Sequence, residues 1–289
     1  MVINAKLKSL YVLPATGLTA VLLLYSLVQV AVTDYEQTAW LGAAIASVSM
    51  PLVIGWLTLR PVERTSENLP FLVAITAIGV VISVFEQFVE GTAGWGPTAV
   101  ALVSATLFAI YVFWFSRFGR VPNSILSVGS KLPEFTLTDA DENDFHSTEL
   151  IGSPAVLMFY RGNWCPLCMA QIRELAARYQ DLKAMGINVV LVSPQPDEQT
   201  RKLAATHDVP FRFLVDKDNK LAQSLEIAVS NGVPIGLPGG YAPDTVLPTL
   251  VVTNAAGTIV FSDQTDNYRV RPEPDIFLAI LRRTGVVAQ

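Results

Sequence analysis

The chain reads as two joined fold classes: an all-α membrane module of four helices, then an α/β domain. Three observations predict this. Hydrophobic residues make up 51% and charged residues only 16% of the 289 residues, too apolar a balance for one ordinary soluble domain. The imbalance is local, because residues 1–117 hold five of the 20 Lys/Arg and six of the 25 Asp/Glu. Beyond residue 131, short apolar runs alternate with amphipathic helical patterns. The expected organisation is a four-span module over 1–117, a linker over 118–131 and a soluble domain over 132–289. The net charge of −5 comes without a basic patch or charge run, which excludes nucleic acid as a partner.

The module rests on four apolar runs, Leu10–Val32, Ala39–Leu59, Pro70–Phe88 and Pro97–Phe115. Each is about 19 to 23 residues long, enough to cross a hydrocarbon core as helix. The first is too long for a signal peptide, and three more follow it. Lys6 and Lys8 precede the first run, Arg60 and Arg64 lie in the second loop, and Arg117 and Arg120 follow the fourth run. The first and third loops have no Lys or Arg, so the positive-inside rule puts both ends in the cytoplasm. The expectation is a multi-pass protein of the cell (inner) membrane, with the lipid bilayer as partner and a cytoplasmic soluble domain. Trp40, Trp56, Trp95 and Trp114 lie near run ends and read as interfacial anchors. Glu86 lies near the expected outer end of the third run, close enough to reach headgroups. Pro14 and Pro51 read as kinks or first-turn residues. No cysteine lies in the module, which excludes electron transfer through the bilayer by thiol–disulfide exchange.

The soluble domain opens with the extended segment Pro133–Asp139, an acidic turn and a second short strand at Phe145. Ala155–Tyr160 is an apolar strand. Pro166–Met185 follows as a helix, with Met169, Ile172, Leu175, Tyr179 and Leu182 on one face. Ile187–Val192 is a buried strand, Asp197–His207 a helix, Phe211–Val215 a strand and Asn219–Leu225 a short helix. Thr249–Val252 and Thr258–Phe261 flank a turn with Gly257 and form a hairpin. Asp275–Arg283, entered through Pro272 and Pro274, is the last helix. Strand–helix–strand–helix, then a hairpin and a terminal helix, is a thioredoxin-like arrangement. Ala228–Thr245 is an insertion rich in glycine and proline, and reads either as a lid or as an interface to the membrane module.

The chemistry centres on Trp164-Cys165-Pro166-Leu167-Cys168, which holds the two cysteines of the chain. It joins an apolar strand to an amphipathic helix, a context that points to redox use of the Cys-x-x-Cys pair. Pro166 suits the first helical position, where its missing N–H costs nothing. Cys165 then stands at the helix N-terminus, where free N–H groups and the dipole favour a thiolate. Cys168 follows about one turn later on the same face, within reach of a disulfide. Trp164 reads as a platform beside the pair. A zinc site would need two further ligands, and no second Cys pair or His cluster exists, so no metal and no cofactor are expected. His146 and His207 read as solvated surface. A purely structural disulfide is disfavoured because its loop is too short to restrain much chain entropy.

Residues 132–284 resemble the peroxiredoxin-like alkyl hydroperoxide reductase/thiol-specific antioxidant branch of the thioredoxin superfamily. The segments that carry the resemblance are Pro133–Leu137, Phe159–Cys168, Phe213–Asp218 and Leu247–Thr249. It implies a redox enzyme that reduces peroxides through a Cys165/Cys168 dithiol–disulfide cycle, reset by a thioredoxin- or glutathione-type donor. Two other readings stay open: a thiol–disulfide oxidoreductase acting on protein disulfides, and a membrane-tethered redox sensor. Thioredoxin-like alignment makes Cys165 the exposed attacker and Cys168 the resolver. Peroxiredoxin-like alignment puts Cys168 at the attacking position, with Cys165 where those enzymes keep Thr or Ser and Arg161 where they keep proline. The resemblance also implies a cis Pro248 beside the pair. The loop Asp263–Arg271 should lie at the cysteine end of the sheet. There Arg269 is the candidate cation for the thiolate and the peroxide, with Arg161 its rival.

Overall fold

The computed structural model describes residues 2–91, 93–139, 141–207 and 209–283. Residues 284–289 of the expected soluble domain lie outside the described residues. The chain divides into two compact units, one covering Leu10–Arg60 and Thr65–Arg117, the other built from residue 118 onward with two short segments ending at Ser9 and Arg64.

The first unit is helical. Its elements are α1 (Val2–Val32), α2 (Gln37–Leu59), α3 (Pro70–Phe85) and α4 (Trp95–Ile110). Helices α3 and α4 continue into π-helical turns at Glu86–Glu90 and Tyr111–Phe115. With these turns, four segments among the described residues are long and apolar enough to cross a membrane: Asn4–Val32, Gln37–Leu59, Pro70–Glu90 and Trp95–Phe115. Pro70 begins α3 at the position where a missing N–H is harmless. Pro14 and Pro51 lie inside their helices, not in the first turns. Trp40 differs from the interfacial expectation: it is buried, its indole N–H donates to Glu36 Oε2 at 3.1 Å, and its ring meets Tyr25 edge-on at 5.3 Å. Trp56 and Trp95 are exposed. Glu86 is half-buried at the start of its π turn.

Helices α2 and α3 meet at backbone distance. A Cβ on Gly79 would lie 2.5 Å from Gly42 O and closer still to Ala46 N. Such an approach needs small residues, and it lets hydroxyls bridge the helices. Ser83 Oγ donates to Ala39 O at 2.8 Å, and Ser47 Oγ pairs with Ser104 Oγ of α4 at 2.8 Å. Gly79→Val must therefore push α2 and α3 apart, at a cost of about 1–3 kcal/mol for overpacking. The expected result is a lower thermal midpoint of the full chain in detergent. An unchanged midpoint would mean that the contact tolerates a side chain.

The second unit is built on a sheet. Its strands are β1 (Thr136–Asp139), β2 (Asp144–His146), β3 (Ala155–Phe159), β4 (Asn188–Ser193), β5 (Arg212–Val215), β6 (Ala228–Val229), β7 (Thr245–Val246), β8 (Thr249–Thr253) and β9 (Ile259–Asp263). Among the described residues, seven of them form one sheet in the order β2-β1-β5-β4-β3-β8-β9. Strands β3, β4 and β5 are parallel, and β8 runs antiparallel to β3. Strands β6 and β7 form a separate ribbon that closes the glycine- and proline-rich insertion at its base. Strand β3 is buried at every position, as a central strand with both faces covered must be. Leu157, Phe159, Val190, Val192, Leu214 and Val251 belong to one core, which includes Leu221 and Leu225 of the short helix region after β5.

The helices are α5 (Pro166–Ala177), α6 (Tyr179–Ala184), α7 (Asp197–Ala205), α8 (Lys220–Ser224) and α9 (Pro274–Arg283). The single helix expected over 166–185 is broken at Arg178, whose φ/ψ of −95°/10° leaves the helical region. Residues 118–131, expected as a linker, are part of this fold. Leu126 is fully buried in the core, the Phe118 N–H donates to Asp266 O at 2.9 Å, and Lys131 forms a β-bridge with Thr258. The apolar residues of this stretch are scattered among serines with no helical or strand period, so the sequence carries no sign of their burial.

Candidate active site

Strand β3 delivers the chain to the site at its carboxyl end. Tyr160, fully buried, extends the pairing through its N–H to Val192 O at 2.9 Å. Gly162 then turns the chain at φ +142°, a conformation L side chains rarely adopt. A Cβ there would lie 2.6 Å from the Trp164 Nε1, so the indole fills the space that glycine leaves. The Cys165 N–H closes a turn onto Gly162 O at 3.1 Å. Cys165 is extended (φ −90°, ψ 106°) and stands at the N-cap of α5, with Pro166 as the first helical residue.

Both thiols are free and buried, at 2% exposure for Cys165 and 0% for Cys168. This corrects the expected exposure of Cys165: the loop before it is held down, as the bonds below show. What separates the two sulfurs is electrostatics. The Cys168 thiol hydrogen-bonds to the Cys165 sulfur and draws its pKa down to about 6 against the opposing effect of burial. The guanidinium charges of Arg161 and Arg271 act in the same direction. Cys168 is pushed well up, first by burial, then by its hydrogen bond to Cys165 and the charge developing there. One thiol is thus arranged to ionise and the other to keep its proton.

Arg161 stacks its guanidinium over the Trp164 ring at 4.6 Å and donates from Nη2 to Gly232 O. Arg271 lies in the loop after β9 and is 7% exposed. Its Nε and Nη2, Arg161 Nε and Trp164 Nε1 are buried donors with no hydrogen-bond partner among the described residues. Unpaired buried donors are rare in folded proteins and cost free energy, so four in one site call for an explanation. The sequence pointed to Arg269 as the cation. Its side chain is fully buried in the same loop, and its N–H donates to Asn267 Oδ1 at 3.0 Å. The Arg271 guanidinium, two residues on, acts on both sulfurs.

Pro248 is a correction. No described peptide bond is cis, so the Leu247–Pro248 bond is trans. The chain leaves β7 extended, with the Leu247 N–H on Ile227 O at 2.7 Å, and enters β8 at Thr249. That straight entry takes the isomer X–Pro bonds favour by about 0.5–1 kcal/mol. Pro248 O accepts from Arg120 Nη1 at 3.0 Å.

Sequence reasoning passed over a second layer of residues. Gln195, 2% exposed, accepts from the Asn163 N–H at 2.7 Å and donates to Tyr160 Oη and Thr200 Oγ1, each at 3.1 Å. It pins the loop before Cys165 to β4 and α7. Asn163 Nδ2 donates to Gln199 Oε1 at 3.0 Å, and Asn163 Oδ1 accepts from the Tyr241 hydroxyl. Nothing in the spacing of Gln195, Gln199 or Tyr241 sets them apart from surface polar residues. His146 is exposed, and His207 is partly exposed.

Residues 128–262 match the model of the AhpC/TSA family. The chain is 31% identical over 114 residues to the chloroplastic peroxiredoxin Q of Gentiana triflora, covering 39% of this chain and 50% of that one. It is 24% identical over 102 residues to peroxiredoxin Bcp of Bacillus subtilis, covering 35% and 65%. To the thiol-disulfide oxidoreductase ResA of Geobacillus kaustophilus it is 24% identical over 133 residues, covering 45% and 73%. The chain thus spans about half the length of the peroxiredoxin Q relatives it matches. The matched segment holds β1 to β8, both cysteines and the glycine- and proline-rich insertion. Residues 128–262 thus match the AhpC/TSA family model and are similar both to peroxiredoxins and to a thiol–disulfide oxidoreductase, which indicates thiol redox chemistry.

Proposed function

We propose that this chain is a membrane-anchored thiol peroxidase that cycles Cys165 and Cys168 between dithiol and disulfide. The observation that carries the reading is the asymmetry of the pair: Cys165 is drawn down to about 6 by a hydrogen bond from Cys168, which is itself held protonated. At neutral pH the Cys165 thiolate attacks one peroxide oxygen. The O–O bond breaks, and the departing oxygen takes a proton and leaves as water or alcohol. Cys165 is oxidised to a sulfenic acid and the peroxide is reduced. The Cys168 sulfur then attacks Cys165 Sγ. Its proton leaves with the sulfenic hydroxyl as water, and a disulfide forms. A thioredoxin- or glutathione-type donor supplies the two electrons that restore both thiols.

The unpaired donors of Arg161, Arg271 and Trp164 support this reading. They suit the negative charge that grows on the departing oxygen. Arg269 is buried in the same loop as Arg271. Four apolar helices would anchor the domain at a bilayer, with loop charge favouring the cytoplasmic side. Residues 118–131 group with the second unit, as do the two short segments ending at Ser9 and Arg64.

The likeness to ResA favours a second reading, exchange with protein disulfides through the same Cys165 thiolate. Stopped-flow tryptophan fluorescence of the reduced full chain in detergent separates the two. Fast oxidation by hydrogen peroxide with slow reduction of insulin disulfides is expected. Fast insulin reduction, with peroxide oxidation no faster than that of a free thiol of ordinary pKa, would establish the second reading.

A further inference from the structure

We infer that Tyr241 is a specificity-determining residue, a latch that sets the size of the hydroperoxide admitted to Cys165. The inference rests on the thiol-peroxidase reading above. Its basis is the segment between β6 and β7. The β6–β7 ribbon clamps the base of this segment, and the Val233 N–H on Pro243 O at 3.0 Å carries the clamp one step further. The segment is bonded to the loop before Cys165 at three places, the first at its base, where Thr245 Oγ1 donates to Arg161 O at 3.1 Å. Arg161 Nη2 donates to Gly232 O on one side. On the other, the Tyr241 hydroxyl donates to Asn163 Oδ1. Asn163 Nδ2 donates in turn to Gln199 Oε1, and Gln199 Nε2 reaches back to Gly239 O at 3.4 Å. The chain of bonds therefore starts and ends in the strap, through one side-chain hydroxyl and two side-chain amides.

The latch is built to be released. Gly239 and Gly240, just before Tyr241, take φ values of +119° and +74°, a backbone region that favours glycine and in which no side chain stiffens the approach to the ring. The ring packs on Gly239, where a Cβ would come within 2.7 Å of it. The bonds that hold it are few and partly solvated, the mark of an element of low local stability.

A cleft of about 360 Å³ lies beside the latch. Gly240, Ala242 and Pro243 of the strap form one wall; the rest, at the carboxyl ends of β4 and β5, mixes Pro194, Pro196 and Val215 with the charged side chains of Asp197, Lys217 and Asp218. Gln195 also lines it, and Gln195 Oε1 holds the Asn163 N–H, so the cleft and the latch share a residue. The proline, alanine and valine surfaces of this mixed cleft, at the carboxyl end of parallel strands, give the organic part of a hydroperoxide a place to rest. With the latch closed, Cys165 at 2% exposure is open only to an oxidant the size of hydrogen peroxide. With the latch open, the strap wall moves away and an organic hydroperoxide can lay its alkyl or aryl group in the cleft.

The test uses the full chain in detergent, with Tyr241→Phe and, as an independent break of the same ring of bonds, Gln199→Ala. Oxidation is followed with hydrogen peroxide and cumene hydroperoxide, and alkylation with iodoacetamide and a polyethylene-glycol maleimide. Both variants are expected to speed the two bulky reagents about three- to tenfold, the shift in a closed–open equilibrium that loss of one hydrogen bond produces. Hydrogen peroxide and iodoacetamide should change less than about twofold, because they do not need the open state. A bulky-to-small ratio that stays the same in both variants overturns the inference. So does a common fall of all four rates, which would make Tyr241 a positioning residue for the Cys165 loop. The alkylation arm needs no peroxidase activity: a wild-type chain inert to both peroxides would end the functional reading, while the alkylation ratio would still decide whether a latch exists.

Discussion

Cys165→Ser stops peroxide consumption by the full chain, whereas Cys168→Ser still reduces about one equivalent and then halts. The physical basis is the division of labour between the sulfurs. Cys165 alone is drawn down to about 6, so it alone is ionised near pH 7. A serine hydroxyl there stays protonated and is a far weaker nucleophile, and the expected loss is on the order of a thousandfold or more, as for removal of any attacking group. Cys168 is held protonated by its burial and its neighbour, so its loss spares the first step and removes the second. The Cys168→Ser variant should accumulate sulfenic acid, detectable by dimedone labelling at Cys165 and by mass spectrometry. If Cys168→Ser were the dead variant and Cys165→Ser carried the sulfenic acid, the roles would be reversed and Cys168 would be the attacking residue.

The second large effect is on pH. The thiolate is the reactive form, so the rate of alkylation or oxidation follows the ionised fraction of Cys165. Below pH about 6 that fraction should fall about tenfold for each pH step, and above pH 7 it should level off. The lowered value means that the folded site favours the charged form, and each cation removed must raise the midpoint. Arg271→Met removes a buried cation that acts on both sulfurs and whose Nε and Nη2 make no other hydrogen bond among the described residues. The midpoint is expected to move up to about 7, the scale on which one nearby opposite charge acts. Peroxide oxidation near pH 6 should fall more than alkylation, since the same guanidinium faces the departing oxygen. Arg269→Met is the comparison. A midpoint that moved with Arg269 and stayed put with Arg271 would return the role to the residue that sequence reasoning favours.

Much of this architecture can be read without coordinates, for definite reasons. Four long apolar runs declare themselves by length alone, because a helix that crosses hydrocarbon needs about 20 such residues whatever it packs against. The order of strands and helices follows from hydrophobic period, and β3, β4 and α5 carry strong periods since both faces of β3 and one face of α5 are buried. The place of Cys165 at the start of α5 follows from Pro166, which has few other uses in a helix. Pairwise contacts are another matter. Helices α2 and α3 approach through Gly42 and Gly79, yet glycines at Gly17 and Gly55 look the same in sequence and touch nothing.

The chain alone determined the order of elements, the Cys-x-x-Cys pair at a helix start and the partition of charge between two halves, because local period, backbone propensity and composition act over a few neighbouring residues. Folding decided the rest: that Cys165 is buried, that Arg271 and Arg161 converge on it, that Leu247–Pro248 is trans, and that Leu126 leaves its serine-rich surroundings for the core. Each of these depends on which distant segments share a volume. Arg161, Gln195, Tyr241 and Arg271 are separated by up to 110 positions in the chain and gather around the cysteines only because β3, β4 and β9 end there and the segment leading into β7 is bonded to the same loop. A field at a sulfur atom is a sum over space, and sequence spacing carries no measure of it.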